Sequence, residues 1–186
     1  MKELSLYILD ITMNSVRAGA SEIGIDLEEI SNILTVRISD NGCGMTKEQV
    51  QRLSDPFFTT RTTRKVGLGV PFFRMIAEMT DGSVTITSVP ESESDDHGTE
   101  VKAIFHTDHI DFVPLGDIVE TLITLIQGSP DVNFVFTHKK DAGEVRLSIA
   151  EIKEVLGEDV PVSSFEILSW IRGYLTEQYD ALNESV

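Results

Sequence analysis

Asp10, Asn14 and Arg17 stand at i, i+4 and i+7 within the segment DITMNSVRAGA. Read as a helix, that spacing lines up a carboxylate, an amide and a guanidinium on one face. Leu4, Ile8 and Ile11 flank the stripe on one side, and Leu9 and Val16 on the other. A helix this apolar around its circumference is expected to be buried. A buried polar stripe is costly unless something satisfies it. Two arrangements would do so: an internal ion pair of Asp10 with Arg17 bridged by Asn14, or a ligand site.

A second carboxylate follows a strand pattern. Leu34, Val36 and Ile38 alternate with Thr35, Arg37 and Ser39, and the period of two places Asp40 on the same face as Ile38. There it either caps a loop or meets a ligand. Asn41-Gly42-Cys43-Gly44-Met45 comes next, and its glycines permit a tight turn or the close approach of a flat ligand. Cys43 has no nearby histidine in sequence and reads as a small packing residue, not a nucleophile. From Thr59 to Gly69 the chain holds hydroxyls, Arg61, Arg64 and Lys65 without apolar periodicity, the pattern of a mobile loop. Gly67-Leu68-Gly69 then opens a helix over Val70–Met79. Free N–H groups and the positive helix end suit phosphate there, although the glycines would equally serve close helix packing. Thr99 starts a strand on its apolar face, so its hydroxyl is expected to point inward.

The elements that must position these groups follow from pattern and caps. A first helix spans about residues 2–18. Strands are expected around Ile23–Leu27, Leu34–Ser39, Val84–Thr87 and Thr99–Phe105. Thr46 with Gln49 forms a capping box for a short helix through Leu53. Residues 108–114 read as a boundary, dividing a first domain at 1–110 from an α+β interaction or packing module at 111–186. In the second part Asp117 and Glu120 cap a helix to about Gln127, a hairpin spans Val132–Leu147, and Ser148 with Glu151 caps a short helix. Ser163 with Glu166 caps a last helix with the stripe Phe165, Leu168, Ile171 and Leu175.

Composition narrows the function classes. The 186 residues carry a net charge of −16, which argues against general binding to nucleic acid or to an anionic membrane. Residues 1–106 hold 10 basic and 16 acidic groups; residues 107–186 hold 5 and 15. One cysteine forms no internal disulfide and suits a reducing, cytoplasmic setting. The N-terminal run contains Glu3 and Asp10 and is not expected to act as a signal peptide. His106 and His109 form an H-x-x-H pair that is too sparse for a metal site.

The order of the motifs is more specific than any one of them. D-x-x-x-N on a helix, D-N-G-C-G-M after a strand, D-P-F-F-T-T-R, V-G-L-G-V and G-T-E-V follow one another through residue 106. This order resembles the ATP-binding domain of the GHKL (Bergerat-fold) superfamily, and D-P-F-F-T-T-R with G-L-G is most similar to histidine kinases. The resemblance implies a two-layer α+β sandwich with a mixed sheet and helices on one face, extended here by a small α+β appendage. It implies that Asp40 accepts a hydrogen bond from the adenine amino group, with Thr99 assisting and Gly42 and Gly44 allowing close approach. Asn14 would ligate Mg²⁺; Gly67, Leu68 and Gly69 would meet phosphate; Arg61, Arg64 or Lys65 would neutralise it. Asp10 matches the position of a catalytic Glu, one methylene shorter, and is the candidate general base. Arg17 matches the N-A-x-R-A pattern of the mitochondrial kinases in the superfamily.

The resemblance also departs from histidine kinases. The domain starts at residue 2, so the phosphoacceptor hairpin is expected to be missing, and His97, His106, His109 and His138 lie in no H-E-x-x-x-P context. Three functions are then implied: a stand-alone kinase using Mg-ATP on a partner protein in trans, a nucleotide-gated binding module like the anti-sigma factors, or a slow ATPase coupled to homodimer formation. ATP and ADP are ligands in all three.

Overall fold

The computed structural model describes residues 3–53, 69–157 and 160–184. The elements run α1 Leu4–Arg17, β1 Glu22–Ile30, β2 Ile33–Asp40, α2 Lys47–Leu53, α3 Gly69–Glu78, β3 Ser83–Val89, β4 Gly98–His106, α4 Ile118–Gly128, β5 Asn133–Lys140, β6 Gly143–Ser148, α5 Ile149–Leu156 and α6 Phe165–Glu184. The strands make one mixed sheet in the order β3-β4-β2-β1-β5-β6. Alternation dictates its two faces. Ile23, Ile25 and Leu27 of β1, Leu34, Val36 and Ile38 of β2, and Phe134 and Phe136 of β5 are buried on one side. α1, α3, α4 and α6 supply the other half of that core. The opposite face is polar: Lys102, Arg37, Asp26 and Thr137 follow one another across four neighbouring strands. The result is a two-layer α+β sandwich with one open sheet face.

Local signals explain most element ends. The β1–β2 hairpin turns on Ser31 and Asn32, both at positive φ (52° and 62°), the conformation a two-residue hairpin loop requires. The Thr46–Gln49 capping box is present in both directions, at 2.8 and 3.3 Å. Asp117 accepts from the Glu120 N–H at 2.9 Å, and Ser148 from that of Glu151 at 3.4 Å. The last helix departs from expectation. Ser164, not Ser163, accepts from Ile167 N–H at 3.4 Å, and Phe165 is 78% exposed. The buried stripe of α6 is Leu168, Ile171, Leu175 and Leu182.

Residues beyond 110 continue the same sheet and core. β5 pairs in parallel along β1, from Glu22↔Asn133 to Glu29↔Lys140. Pro114 and Leu115 carbonyls accept from the Leu4 and Ser5 N–H groups at 2.9 and 2.8 Å, satisfying donors that the first turn of α1 leaves unpaired. At the outer strand β6, the Gln178 side chain on α6 bonds both N–H and C=O of Arg146, at 3.0 and 3.1 Å, which covers part of that edge. Among the described residues no helix is long and apolar enough to cross a membrane.

His138 is the one buried histidine of this core. Its Nδ1 lies 2.8 Å from the Tyr179 hydroxyl on α6. Burial, reinforced by the Lys140 ammonium, pushes its pKa down from 6.5 to about 4 against the opposing pull of Glu29. Between those values the unfolded chain binds the extra proton and the folded chain does not, so stability falls as pH drops through that window. The expected loss is about 3 kcal/mol between neutral pH and about pH 4. Urea denaturation across that range checks it, and His138→Leu should remove this part of the pH dependence.

Candidate functional site

Asp40, Thr99 and the glycine turn lie together at one end of the sheet. Asp40 ends β2, directly opposite Thr99 on β4 and Ile23 on β1. Asp40 is half-buried, and its Oδ1 accepts the Gly42 N–H at 2.9 Å, an Asx-type turn that leaves Oδ2 without a described partner. The Thr99 hydroxyl lies 2.8 Å from Ser88 Oγ on β3. Ser88 also donates to Gly98 O at 3.0 Å and accepts from Met45 N–H at 2.8 Å, so it ties the Thr99 hydroxyl to the end of the glycine turn. Sequence reasoning missed Ser88. The available signal was its place on the strand ahead of G-T-E, but the register that sets it opposite Thr99 needs the fold.

The Asp40–Met45 turn is fastened to three elements. Asn41 Oδ1 accepts from the Ser21 and Glu22 N–H groups, each at 2.9 Å. Cys43 N–H donates to Ala18 O at 3.0 Å, and Cys43 O accepts from Glu91 N–H at 2.9 Å. His97 Nδ1 reaches Gly42 O at 2.6 Å. Gly44 has φ +65°, and a Cβ there would fall 1.9 Å from Val89 O, so only glycine fits. The Cys43 side chain is exposed, contrary to its expected packing role, because the turn directs both of its backbone groups inward and its thiol outward.

α1 and α3 form the second wall. Tyr7 faces Phe73 at 6.3 Å between ring centroids, while Asp10 meets Gly69 at the first turn of α3. A Cβ on Gly69 would sit 2.1 Å from Asp10 Oδ2. The carboxylate therefore rests on the N-terminal end of α3, where the helix dipole favours an anion. Gly69→Ala forces Asp10 off this seat. The expected destabilisation is about 1 kcal/mol despite the better helix propensity of alanine. It should vanish in an Asp10→Ala background, a double-mutant cycle read by urea denaturation.

The polar stripe of α1 differs from expectation. Asp10 and Asn14 are half-buried and Arg17 is exposed, because the stripe faces the site and not the core. Arg17 donates from Nη1 to Asn14 Oδ1 at 3.1 Å, and no ion pair joins Asp10 to Arg17 among the described residues. Arg61, Arg64, Lys65, Gly67 and Leu68 lie outside the described residues. His106 Nδ1 lies 2.7 Å from Thr80 O, and His109 Nδ1 accepts from Asp111 N–H at 3.1 Å. No cluster of three or more metal-type side chains occurs among the described residues.

Comparison with known proteins agrees with this fold. Residues 2–109 match the family described as histidine kinase-, DNA gyrase B-, and HSP90-like ATPase. Sensor protein DegM of a Bacillus species is 29% identical over 85 residues, covering 45% of this chain and 22% of that protein. Sporulation kinase B of Bacillus subtilis is 29% identical over 89 residues, covering 46% of this chain and 21% of that protein. The chain thus spans about a fifth of the length of these curated relatives. In fold it is similar to the Aquifex aeolicus MutL ATPase domain, solved with ADP, at a TM-score of 0.51 and 16% identity, covering 84% of this chain and 69% of that one. That share is larger than residues 2–109, so the likeness in fold takes in part of the chain beyond residue 109. By its matched residues, its motif order and its sandwich, the chain belongs to the histidine kinase-, DNA gyrase B- and HSP90-like ATPase family.

Proposed function

We propose that this chain binds ATP with Mg²⁺ at the Asp40–Thr99–Asp10 end of the sheet and acts in signal transduction by transferring phosphate to a partner protein in trans. The observation that carries this reading is that two unlike walls both border α1, one at its C-terminal end and one at Asp10. On one, a half-buried Asp40 has one oxygen engaged by Gly42 and one without a partner among the described residues, beside a hydroxyl fixed by Ser88. On the other, the N-terminal end of α3 already faces an anion, the Asp10 carboxylate. Adenine suits the first wall and phosphate the second. The ADP in the MutL structure and the sensor and kinase names of the relatives support the same assignment. A cytoplasmic setting, with its ATP pool, is part of the proposal.

Each residue then has a task. Asp40 accepts the adenine amino group and rejects a base that presents an acceptor there. Thr99 holds the base edge, and Gly42 and Gly44 shape the turn beneath it. Asn14 offers a hard oxygen suited to Mg²⁺, and Arg17 must release that oxygen for ligation. The ion, when bound, neutralises phosphate charge and orients the transferred group. Gly67, Leu68 and Gly69 meet phosphate, with Arg61, Arg64 or Lys65 countering its charge. Asp10 is the group that would accept a proton from the attacking hydroxyl or imidazole.

The contact of Asp10 with Gly69 favours a second reading: a nucleotide-gated binding module in which Asp10 is structural and ATP only switches partner affinity, in a monomer or a homodimer. Incubation with γ-labelled ATP, Mg²⁺ and fractionated cell protein separates the two. Transfer of label to a second protein, lost in Asp10→Asn, supports the kinase reading. A partner that co-elutes only with ATP and is never labelled supports the gated module. Partner capture indifferent to ATP contradicts both.

A further inference from the structure

His97 belongs to no motif, yet its side chain reaches the middle of the glycine turn at Gly42 O. Its Nδ1 lies 2.6 Å from Gly42 O across 55 residues of chain. A carbonyl oxygen only accepts, so Nδ1 must carry the proton and donate. Gly42 O and Cys43 N–H belong to one planar peptide unit, and they point in opposite directions. His97 holds the oxygen side of that unit, and Ala18 O holds the N–H side at 3.0 Å. Glycine before the unit gives it little intrinsic resistance to rotation. Gly42 N–H, on the preceding unit, is the donor that fixes Asp40 Oδ1 at 2.9 Å.

We infer that His97 is a positioning residue for purine recognition: it locks the Gly42–Cys43 peptide plane and thereby orients the free oxygen of Asp40. The inference rests on Asp40 being the base-reading group. His97 stands just before Gly98 and Thr99 in the chain, so the same short segment that brings the Thr99 hydroxyl also clamps the turn carrying Asp40. Both parts of the base-reading wall are thus held by one strand start. Without the clamp the turn samples other plane orientations, and apparent affinity falls by the fraction of time the competent one is lost.

The test uses the full chain and the variants His97→Ala and His97→Asn; the Asn side-chain amide nitrogen can stand where Nδ1 stands. Calorimetry measures Mg·ATP and Mg·GTP affinity, and nucleotide-free NMR measures the Cys43 amide exchange rate and the His97 ring nitrogen shifts. The expected result is an Nδ1-protonated imidazole in the parent. His97→Ala should show faster Cys43 exchange, about three- to tenfold weaker ATP binding and a similar loss of preference for ATP over GTP. His97→Asn should recover most of each. Unchanged ATP affinity in His97→Ala, with a parent that binds ATP, overturns the inference. So does an equal weakening in both variants with unchanged Cys43 exchange, which would mark a packing effect. Should His97→Ala fail to fold, an Nε2-protonated ring in the parent, or a His97→Asn variant lacking the parent's base preference, overturns it independently. A parent that binds no ATP overturns the proposed function itself, a different failure from the one the exchange and ring measurements detect.

Discussion

Asp40→Asn is expected to bind Mg·ATP about a hundredfold more weakly than the parent chain, with no comparable loss of stability. The change is isosteric. One side-chain oxygen can remain on the Gly42 N–H, where Asp40 Oδ1 now accepts at 2.9 Å. The other position then becomes an amide NH₂. It would face the amino group of adenine, donor against donor, where a carboxylate oxygen stood. The loss combines a charge-assisted hydrogen bond with an unsatisfied donor, about 3 kcal/mol together. Calorimetry with Mg·ATP measures the affinity, and a thermal melt of the same sample measures the fold. Full affinity in a folded Asp40→Asn variant would mean that the base is read elsewhere.

Phe136→Ala carries the largest expected effect on stability. Phe136 is fully buried on β5, opposite Ile25 of β1 and Leu147 of β6. Removing a buried ring leaves a cavity that a close-packed interior refills only in part, at a cost of about 3–5 kcal/mol. The location makes the variant informative beyond the number. β1 begins and β2 ends at the candidate site, and β5 runs along β1 over its whole length. If residues 111–186 stabilise the site-bearing part through that shared sheet, nucleotide binding and C-terminal structure are lost in one transition. Denaturation followed by Trp170 fluorescence and by retention of bound nucleotide should give coincident curves shifted to lower denaturant. Two separated curves, with the nucleotide curve unmoved, would show that the two parts fold independently.

The division between what sequence reading reached and what it missed is physical. Periodicity identified α1, and alternation identified the strands that flank the site, because one-sided burial writes itself into residue order. Caps at Thr46, Asp117 and Ser148 were legible because their hydrogen bonds are local. Asp40 and Thr99, met as separate motif residues, are direct neighbours across β2 and β4. Alternation states which face a side chain takes, but not which strand lies beside it. The parallel pairing of β5 with β1 was therefore invisible, and residues beyond 110 read as a separate module. The contacts His97–Gly42, Ser88–Thr99 and Asp10–Gly69 are likewise set by tertiary approach. The stripe Asp10–Asn14–Arg17 was misjudged as buried because an apolar circumference does not say which side is left open, and here the site itself keeps that side uncovered.

The most direct measurement is a residue-resolved NMR titration of the full chain with Mg·ATP, with Mg·GTP as the parallel sample. The expected outcome is saturable shift changes at Asn14, Gly42, Gly44, Gly69 and Thr99, on the two walls of the candidate site. Far smaller changes are expected at His138 and Tyr179, and weaker changes throughout with Mg·GTP. Saturable shifts centred on α5 and α6, or none at any concentration up to the millimolar range, would contradict the assignment of this end of the sheet as an adenine nucleotide site.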